Sequence, residues 1–292
     1  MIIKMTEIEL KNVSYIYSPD TPFRKVALDD VSLTIHGGVI TGLMGHTGSG
    51  KSTLVSLLNG LNRPTSGQVL VGGEDVWADP KQVHRFAFKV GLVFQYPEYQ
   101  LFEETVRRDI SFGPRNMGLD EAEIKRRVDE AASFCGLSPE LLDKSPFDLS
   151  GGQKRRAAIA GVMAMEPEVL VLDEPAAGLD PRGREEILGG IRSYQRMRGS
   201  SVVIVSHSME DMARYSDEII VMDHAKVKMQ GTTAEIFARA DELKSVGLSV
   251  PQITELMNRV RERGIPVRGG IYTVEDARDE LLRLISERRW RR

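Results

Sequence analysis

Eight residues, Gly45 to Ser52, read GHTGSGKS and fit the spacing of a glycine-rich phosphate-binding loop. Gly45, Gly48 and Gly50 let successive backbone N–H groups curl around an anion, and the helix expected after them adds the partial positive charge of its N-terminus. His46, Thr47, Ser49 and Thr53 complete the loop and its first helical turn. Lys51 is placed to reach the outer phosphates of a nucleotide, and the Ser52 hydroxyl to ligate magnesium. A glycine-rich turn can arise for other reasons, but here an apolar run, VITGLMG, leads into the loop and a helical run, KSTLVSLLNGL, follows it.

A second set of reactive residues sits at the ends of apolar runs. In VLVLDEP the four apolar residues bring Asp173 and Glu174 to the C-terminal end of a buried strand, where open α/β sheets bind their ligands. Asp173 can hold magnesium, directly or through water, and Glu174 can polarise an attacking water as a general base. His207 ends VVIVSH and Gln95 ends VGLVFQ, so both arrive at the same sheet edge. A neutral imidazole there can reach the γ-phosphate or the water, and an uncharged amide can touch both metal and water. Each is unspecific alone; with Lys51 and the carboxylates they make a hydrolytic constellation.

A third stretch, LSGGQ, opens another helix. Ser150 followed three residues later by Gln153 is a capping box, which accounts for those two side chains. Gly151 and Gly152 remain, and they weaken a first helical turn while letting backbone amides approach an anion closely. A second anion site is the better account of the two glycines.

The surrounding pattern must position these groups. Two β-like runs, TEIELKNVSYIY and ALDDVSLTI, are separated by a turn-rich SPDTPF. Nearly all-apolar strands then alternate with helical segments, which predicts an α/β fold with a sheet buried on both faces. Residues of about 105–165 are helical only and read as a helical subdomain. DEAEIKRRVDEAASFCG starts with an Asp120/Glu123 capping box and lines up Ile124, Val128, Ala131, Ala132 and Cys135, so Cys135 reads as core. After Thr233 come two amphipathic helices. SVPQITELMNRVRERG starts with a Ser249/Gln252 capping box and has Ile253, Leu256, Met257 and Val260 on its apolar face. TVEDARDELLRLISERR carries Val274, Ala277, Leu281, Leu282 and Ile285. They are too small a core to stand alone and are expected to pack on the main domain or on another subunit. Residues 1–235 are therefore expected to be the main, nucleotide-hydrolysing domain and 236–292 a small C-terminal helical domain for packing or dimerisation.

Composition narrows the field. The 292 residues are 41% apolar and 28% charged, with a net charge of −3, so there is no general basic excess for nucleic acid. The tail Arg288, Arg289, Trp290, Arg291, Arg292 is the local exception, either a solvated helix end or a contact for an anionic membrane surface or RNA. One cysteine permits no internal disulfide, and neither a signal-peptide pattern nor an apolar run of spanning length is present. The chain is expected to be cytosolic, reaching a membrane only through a partner.

Taken in order, GHTGSGKST, FQ, LSGGQ, VLVLDEP, AGLD and IVSH resemble the ATP-binding-cassette (ABC) ATPases over roughly residues 6–235. The resemblance implies a P-loop NTPase with a mostly parallel core sheet and an N-terminal antiparallel β-subdomain. It also implies ATP and Mg²⁺ as ligands. In that family two cassettes pack head to tail, each nucleotide lying between one phosphate loop and the other chain's signature loop. By resemblance, Ser150, Gly151, Gly152 and Gln153 meet the partner's nucleotide and Asp180 lies at the shared interface. Tyr17 matches the aromatic that stacks on adenine, with Tyr15 the alternative.

A narrower resemblance covers nearly the whole chain. GHTGSGKST, the run FQYPEYQLFEETVRRDISFGPRNMG and the short helical C-terminus are similar to the ATPases of energy-coupling factor (ECF) transporters, which import vitamins and transition-metal ions. The form GHTGSGKST is that of the second ATPase of an unlike pair. The resemblance implies a second ABC ATPase chain, like or related, together with an integral coupling subunit and a substrate-binding membrane subunit. It places the protein peripherally on the cytoplasmic face of the membrane. Tyr96, Pro97, Tyr99, Leu101 and Phe102 would offer an apolar surface to coupling helices, unless they pack within the helical subdomain. Glu98, Glu103, Glu104 and Asp109 would offer acid. Two alternatives stay open: the ATPase of a conventional ABC importer, and a soluble ABC ATPase acting on DNA or the ribosome.

Overall fold

The computed structural model describes residues 5–287, and the arginine-rich tail lies outside the described residues. Strands β1 (Ile8–Tyr17) and β2 (Lys25–Ile35) are followed by β3 (Ile40–Met44) and helix α1 (Lys51–Leu58). Strands β4 (Ser66–Val71) and β5 (Glu74–Asp75), helix α2 (Phe86–Lys89) and strand β6 (Val90–Val93) come next. A helical stretch then holds α3 (Val106–Asn116), α4 (Glu121–Phe134), α5 (Pro139–Leu142) and α6 (Gly151–Met163). The chain returns to alternation with β7 (Val169–Asp173), α7 (Pro181–Arg198), β8 (Ser201–Val205), α8 (Met209–Tyr215), β9 (Glu218–Asp223) and β10 (Lys226–Thr232). Helices α9 (Thr233–Ala238), α10 (Ala240–Ser245), α11 (Gln252–Glu262) and α12 (Val274–Ser286) complete it.

Two sheets result. The smaller is antiparallel, in the order β2-β1-β4-β5; the larger runs β10-β9-β3-β8-β7-β6, parallel except for its β10 edge. Strands β3, β6 and β8 are buried at every position, as their apolar runs require for a sheet covered on both faces. Side-chain alternation divides the core. Leu170, Leu172, Val202 and Ile204 point into one cluster with α3, α4, α6 and α7, while Val169, Val171, Val203 and Val205 point into another with α1 and the antiparallel sheet. Both faces of the parallel sheet are thus filled, which holds its strand ends rigid.

The α4 face is as expected, with Ile124, Val128, Ala131, Ala132 and Cys135 all buried; burial raises the Cys135 thiol pKa to about 12. Its capping box is half formed. Asp120 accepts the Glu123 N–H, but the Glu123 carboxylate turns to Arg126 and Arg127 instead of reaching back.

The C-terminal segment departs further from expectation. Helix α11 starts at Gln252 with Pro251 at its N-cap and no side-chain cap, so the Ser249 capping box does not form. The residue before a proline is held out of the helical region, which keeps Val250 extended and stops the helix from starting earlier. Leu256 is exposed, as are Val274, Leu282 and Ile285. The buried side of α12 is instead Ala277, Glu280 and Leu284, because Glu280 is paired with Arg283 and accepts the Arg268 N–H. Residues 236–250 contribute Ile236, Phe237, Leu243, Leu248 and Val250 to the main core, whereas Met257, Val267, Ile271, Ala277 and Leu284 form a small separate one.

Candidate functional site

Four adjacent strands of the parallel sheet, β3, β8, β7 and β6, end on one edge. Past those ends lie the phosphate loop, His207, the Asp173–Glu174 pair and Gln95. They line one cleft, together with Tyr17, Thr47, Gly48, Gly50, Ser52 and Thr53. Tyr17 rather than Tyr15 faces it: the Tyr17 hydroxyl shares a 3.1 Å hydrogen bond with Thr53 Oγ1, while Tyr15 packs against the core edge-on to Tyr17.

The loop's glycines are forced by the backbone. Gly45, Gly48 and Gly50 have φ of 152°, 85° and 108°. A Cβ on Gly45 would meet the Met222 carbonyl oxygen at 2.4 Å, and one on Gly50 the Ala27 carbonyl oxygen at 2.4 Å. Lys51 is buried and donates to the carbonyl oxygens of Gly45 (2.6 Å) and His46 (2.9 Å). Two of its three donors thus hold it across the loop, leaving one for a phosphate oxygen. Burial lowers its pKa, an effect opposed by Asp173 and Glu174.

Glu174 occupies a left-handed backbone conformation (φ 53°), and its N–H donates to the Val205 carbonyl oxygen. Such a conformation costs an ordinary residue about 1–3 kcal/mol and here turns the side chain out of line with β7. Its Oε1 is buried without a hydrogen bond, with His207 Nε2 3.5 Å away. Burial raises the Glu174 pKa and the neighbouring Asp173 adds to the rise. Asp173 is raised by burial too, against Lys51 and His207. Burial and Lys51 lower His207, so its imidazole is neutral at pH 7. The result is a base with an unspent acceptor atom, a neutral imidazole beside it and a lysine over the loop.

The remaining sequence candidates lie elsewhere. Ser150, Gly152, Gln153 and Asp180 line a different cleft, which also takes in Arg156 and Gly178, with Gly151 exposed beside it. The Ser150 capping box closes fully: Gln153 N–H donates to Ser150 Oγ (3.3 Å) and Ser150 N–H to Gln153 Oε1 (3.0 Å). Gly45, His46 and Ser49 do not line the first cleft. Ser49 is buried, and His46 turns toward Asp223.

Two groups had no sequence signal. Lys25, at the start of β2, lines the first cleft, as a lone lysine nothing in its context would select. Arg155, buried in α6, pairs with Glu98 at 3.0 and 3.1 Å, so the signature helix is tied to the segment after Gln95. That pair corrects the acidic reading for Glu98. Glu98 is spent internally, and Asp109 accepts the Phe102 and Glu103 N–H groups. Among the apolar members Pro97 is buried and Leu101 half-buried, while Tyr96, Tyr99 and Phe102 are exposed.

The family model for ABC transporters matches residues 28–177, which include the phosphate loop, Gln95, the signature helix start and Asp173–Glu174. The chain belongs to the ABC transporter family. It is an ABC ATPase, and it is similar over nearly its whole length to energy-coupling factor transporter ATP-binding proteins EcfA2. The one from Caldanaerobacter subterraneus subsp. tengcongensis is 51% identical over 278 residues, 95% of this chain and 97% of that protein. The one from Symbiobacterium thermophilum is 53% identical over 270 residues, 92% and 93% of the respective chains. Among solved structures, cbiO1 from Clostridium perfringens, part of the ABC transporter complex cbiONQ, is 38% identical with a TM-score of 0.74. That match covers 87% of this chain and all of cbiO1. The cassette MJ0796, solved as a post-hydrolysis dimer bound to ADP and Pi, is 28% identical with a TM-score of 0.70 over 77% of this chain and 98% of its own. This ABC ATPase therefore shares its fold with a cassette solved as a dimer bound to ADP and Pi. Among the described residues no helix is long and apolar enough to cross a membrane.

Proposed function

We propose that this chain is the ATP-hydrolysing subunit of an energy-coupling factor importer, the second ATPase of the pair, powering uptake of a vitamin or transition-metal ion through membrane subunits. The observation that carries the reading is the division of the chain's chemistry between two clefts. The phosphate loop, Gln95, Asp173, Glu174 and His207 share one, and Ser150, Gly152 and Asp180 share another. Each cleft is half of what a split nucleotide site needs, so two cassettes packed head to tail would complete both.

In that arrangement the loop amides and Lys51 bind the β- and γ-phosphates and Tyr17 stacks on the base. The partner's Ser150, Gly151, Gly152 and Gln153 close on the γ-phosphate, with Asp180 beside them. Ser52, Gln95 and Asp173 would hold Mg²⁺, and the donor set of hydroxyl, amide and carboxylate oxygens suits a hard cation. When bound, the ion offsets phosphate charge. Glu174 accepts the proton of the attacking water, and His207, neutral, donates toward the γ-phosphate. The ATPase domain takes in the 236–250 stretch that packs into its core, and the small C-terminal helical domain follows it. The exposed Tyr96, Tyr99 and Phe102 offer the face for coupling helices, which puts the protein peripherally on the cytoplasmic side of the membrane.

Affinity purification of the full chain from detergent-solubilised membranes tests the proposal. The expected result is co-purification of a second ABC ATPase and integral membrane subunits. Recovery with ribosomes or nucleic acid and no membrane subunit overturns it.

A further inference from the structure

Outside both clefts, three potential metal ligands meet on the flank of the phosphate loop. His46 belongs to the loop, while Asp223 and His224 lie at the turn between β9 and β10. His46 Nε2 is 2.9 Å and His224 Nδ1 2.7 Å from the same oxygen, Asp223 Oδ1. The ligand atoms of all three lie within 4.8 Å of one another, and the two imidazole rings stand 5.3 Å apart, edge to face.

The hydrogen bonds of His46 show what kind of ligand this is. Its Nδ1 is 2.8 Å from the Thr47 carbonyl oxygen, an atom that only accepts, so Nδ1 carries the proton. A neutral ring then has a lone pair on Nε2, and that lone pair faces a carboxylate oxygen. The contact is favourable only with something positive present: a second ring proton between the two atoms, or a cation beside them bound by both. A backbone carbonyl fixing one ring nitrogen while the other faces a ligand position is the arrangement of a metal-bound histidine. The turn adds a second observation. His224 and Ala225 have φ of 45° and 66°, where hairpin turns normally use asparagine and glycine. The hairpin is held on the loop by the Ala225 N–H donating to the Ser49 carbonyl oxygen, and the Met222 carbonyl oxygen lies close beside Gly45.

We propose that His46, Asp223 and His224 form a binding site for a divalent transition-metal ion such as Zn²⁺ or Co²⁺, clipping the β9–β10 hairpin to the phosphate loop. Two imidazoles and one carboxylate are a donor set for borderline metals, not for Mg²⁺. His224 is largely exposed and Asp223 largely covered, so the ion would be held at a surface notch with water completing its coordination. Because one ligand is in the phosphate loop and two are in the hairpin, the metal would add a tie between segments that already touch through backbone atoms.

The test is titration of the full chain with Co²⁺ in excess Mg²⁺, followed by visible absorption and by thermal melting, for wild type, His224→Gln and Asp223→Asn. The expected result is one equivalent bound with a nitrogen-ligated Co²⁺ spectrum and a raised Tm in wild type. In both variants that equivalent should weaken by about 100-fold, as loss of a ligand is at least as severe as loss of a supporting contact. Excess Mg²⁺ suppresses occupancy of the Asp173 cleft, and any Co²⁺ still bound there stays in the variants. His224→Gln alters only an exposed turn side chain, so it folds with the wild-type circular dichroism spectrum. Equal stoichiometry and affinity in all three proteins overturns the site, as does wild-type binding only above millimolar Co²⁺.

Discussion

The two glycine-rich helix starts differ in why they need their glycines. In the phosphate loop the need is internal: Gly45 and Gly50 have positive φ, and a methyl group on either would strike a carbonyl oxygen at 2.4 Å. At the signature helix neither Gly151 nor Gly152 has a positive φ, and a Cβ on Gly151 would meet nothing within 4 Å. The capping box between Ser150 and Gln153 already satisfies that helix end. Among the described residues no contact asks for glycine at 151, which fits the proposed approach of a partner's nucleotide from outside. The first start has lysine and carboxylates around it; the second is a capped helix end at a separate cleft. A cassette that closes on a partner needs one of each.

Glu174→Gln gives the largest effect. Turnover should fall by about 10²- to 10⁴-fold with ATP affinity kept, read by phosphate release and by nucleotide titration. An unchanged rate would remove Glu174 from the chemistry and leave the first cleft a binding site only. Gly151→Asp comes next. The chain should stay folded, yet in a mixed pair the site whose phosphate loop is on the other chain should lose about a hundredfold in turnover, since like charges facing each other cost several kcal/mol. Damage confined to the mutant's own Lys51 site would break the comparison. Lys51→Ala should weaken ATP binding by about 10- to 100-fold, the worth of a charged hydrogen bond of about 1.5–3 kcal/mol. Fluorescent nucleotide titration measures it.

Stability separates the glycines further. Gly50→Ala should cost about 1–3 kcal/mol by chemical denaturation, whereas Gly151→Ala should be neutral or stabilise by up to about 1 kcal/mol. A large loss at Gly151 would show an internal need that the geometry lacks.

The smallest effect is in pH. Glu174 must be ionised to act as a base and burial raises its pKa, so kcat/KM should fall on the acid side at a pH above the ordinary 4.5. A carboxyl whose folded pKa is raised also costs stability above that pKa, and the cost disappears below the unfolded value. Glu174→Gln should therefore raise Tm at pH 7, by a margin that shrinks as the pH drops toward 4.5.

Much of the site was legible because its residues are consecutive or end apolar runs. A buried parallel strand must deliver whatever follows it to the sheet edge, so Asp173, Glu174, His207 and Gln95 could be gathered before any fold was seen. The C-terminal helices were less legible. Apolar spacing put Val274, Leu282 and Ile285 on the packed side of α12, but the helix turns Glu280 inward, where Arg283 and the Arg268 N–H satisfy it. Periodicity finds an apolar stripe; it does not weigh that stripe against a satisfied ion pair. Likewise Glu98 reads as available acid in the sequence, and the fold pairs it with Arg155, 57 residues away.

By itself the sequence determined the family, the phosphate loop, the signature helix and the strand-end chemistry, because these depend on local conformation and on residues close along the chain. Only the tertiary structure decided which side chains already have partners. It gave Lys51 its loop carbonyls, Glu98 its arginine and His46 its carboxylate. It also separated the two glycine-rich starts into different clefts. Those outcomes depend on contacts between segments far apart in sequence, and no short-range pattern encodes a distance across the fold.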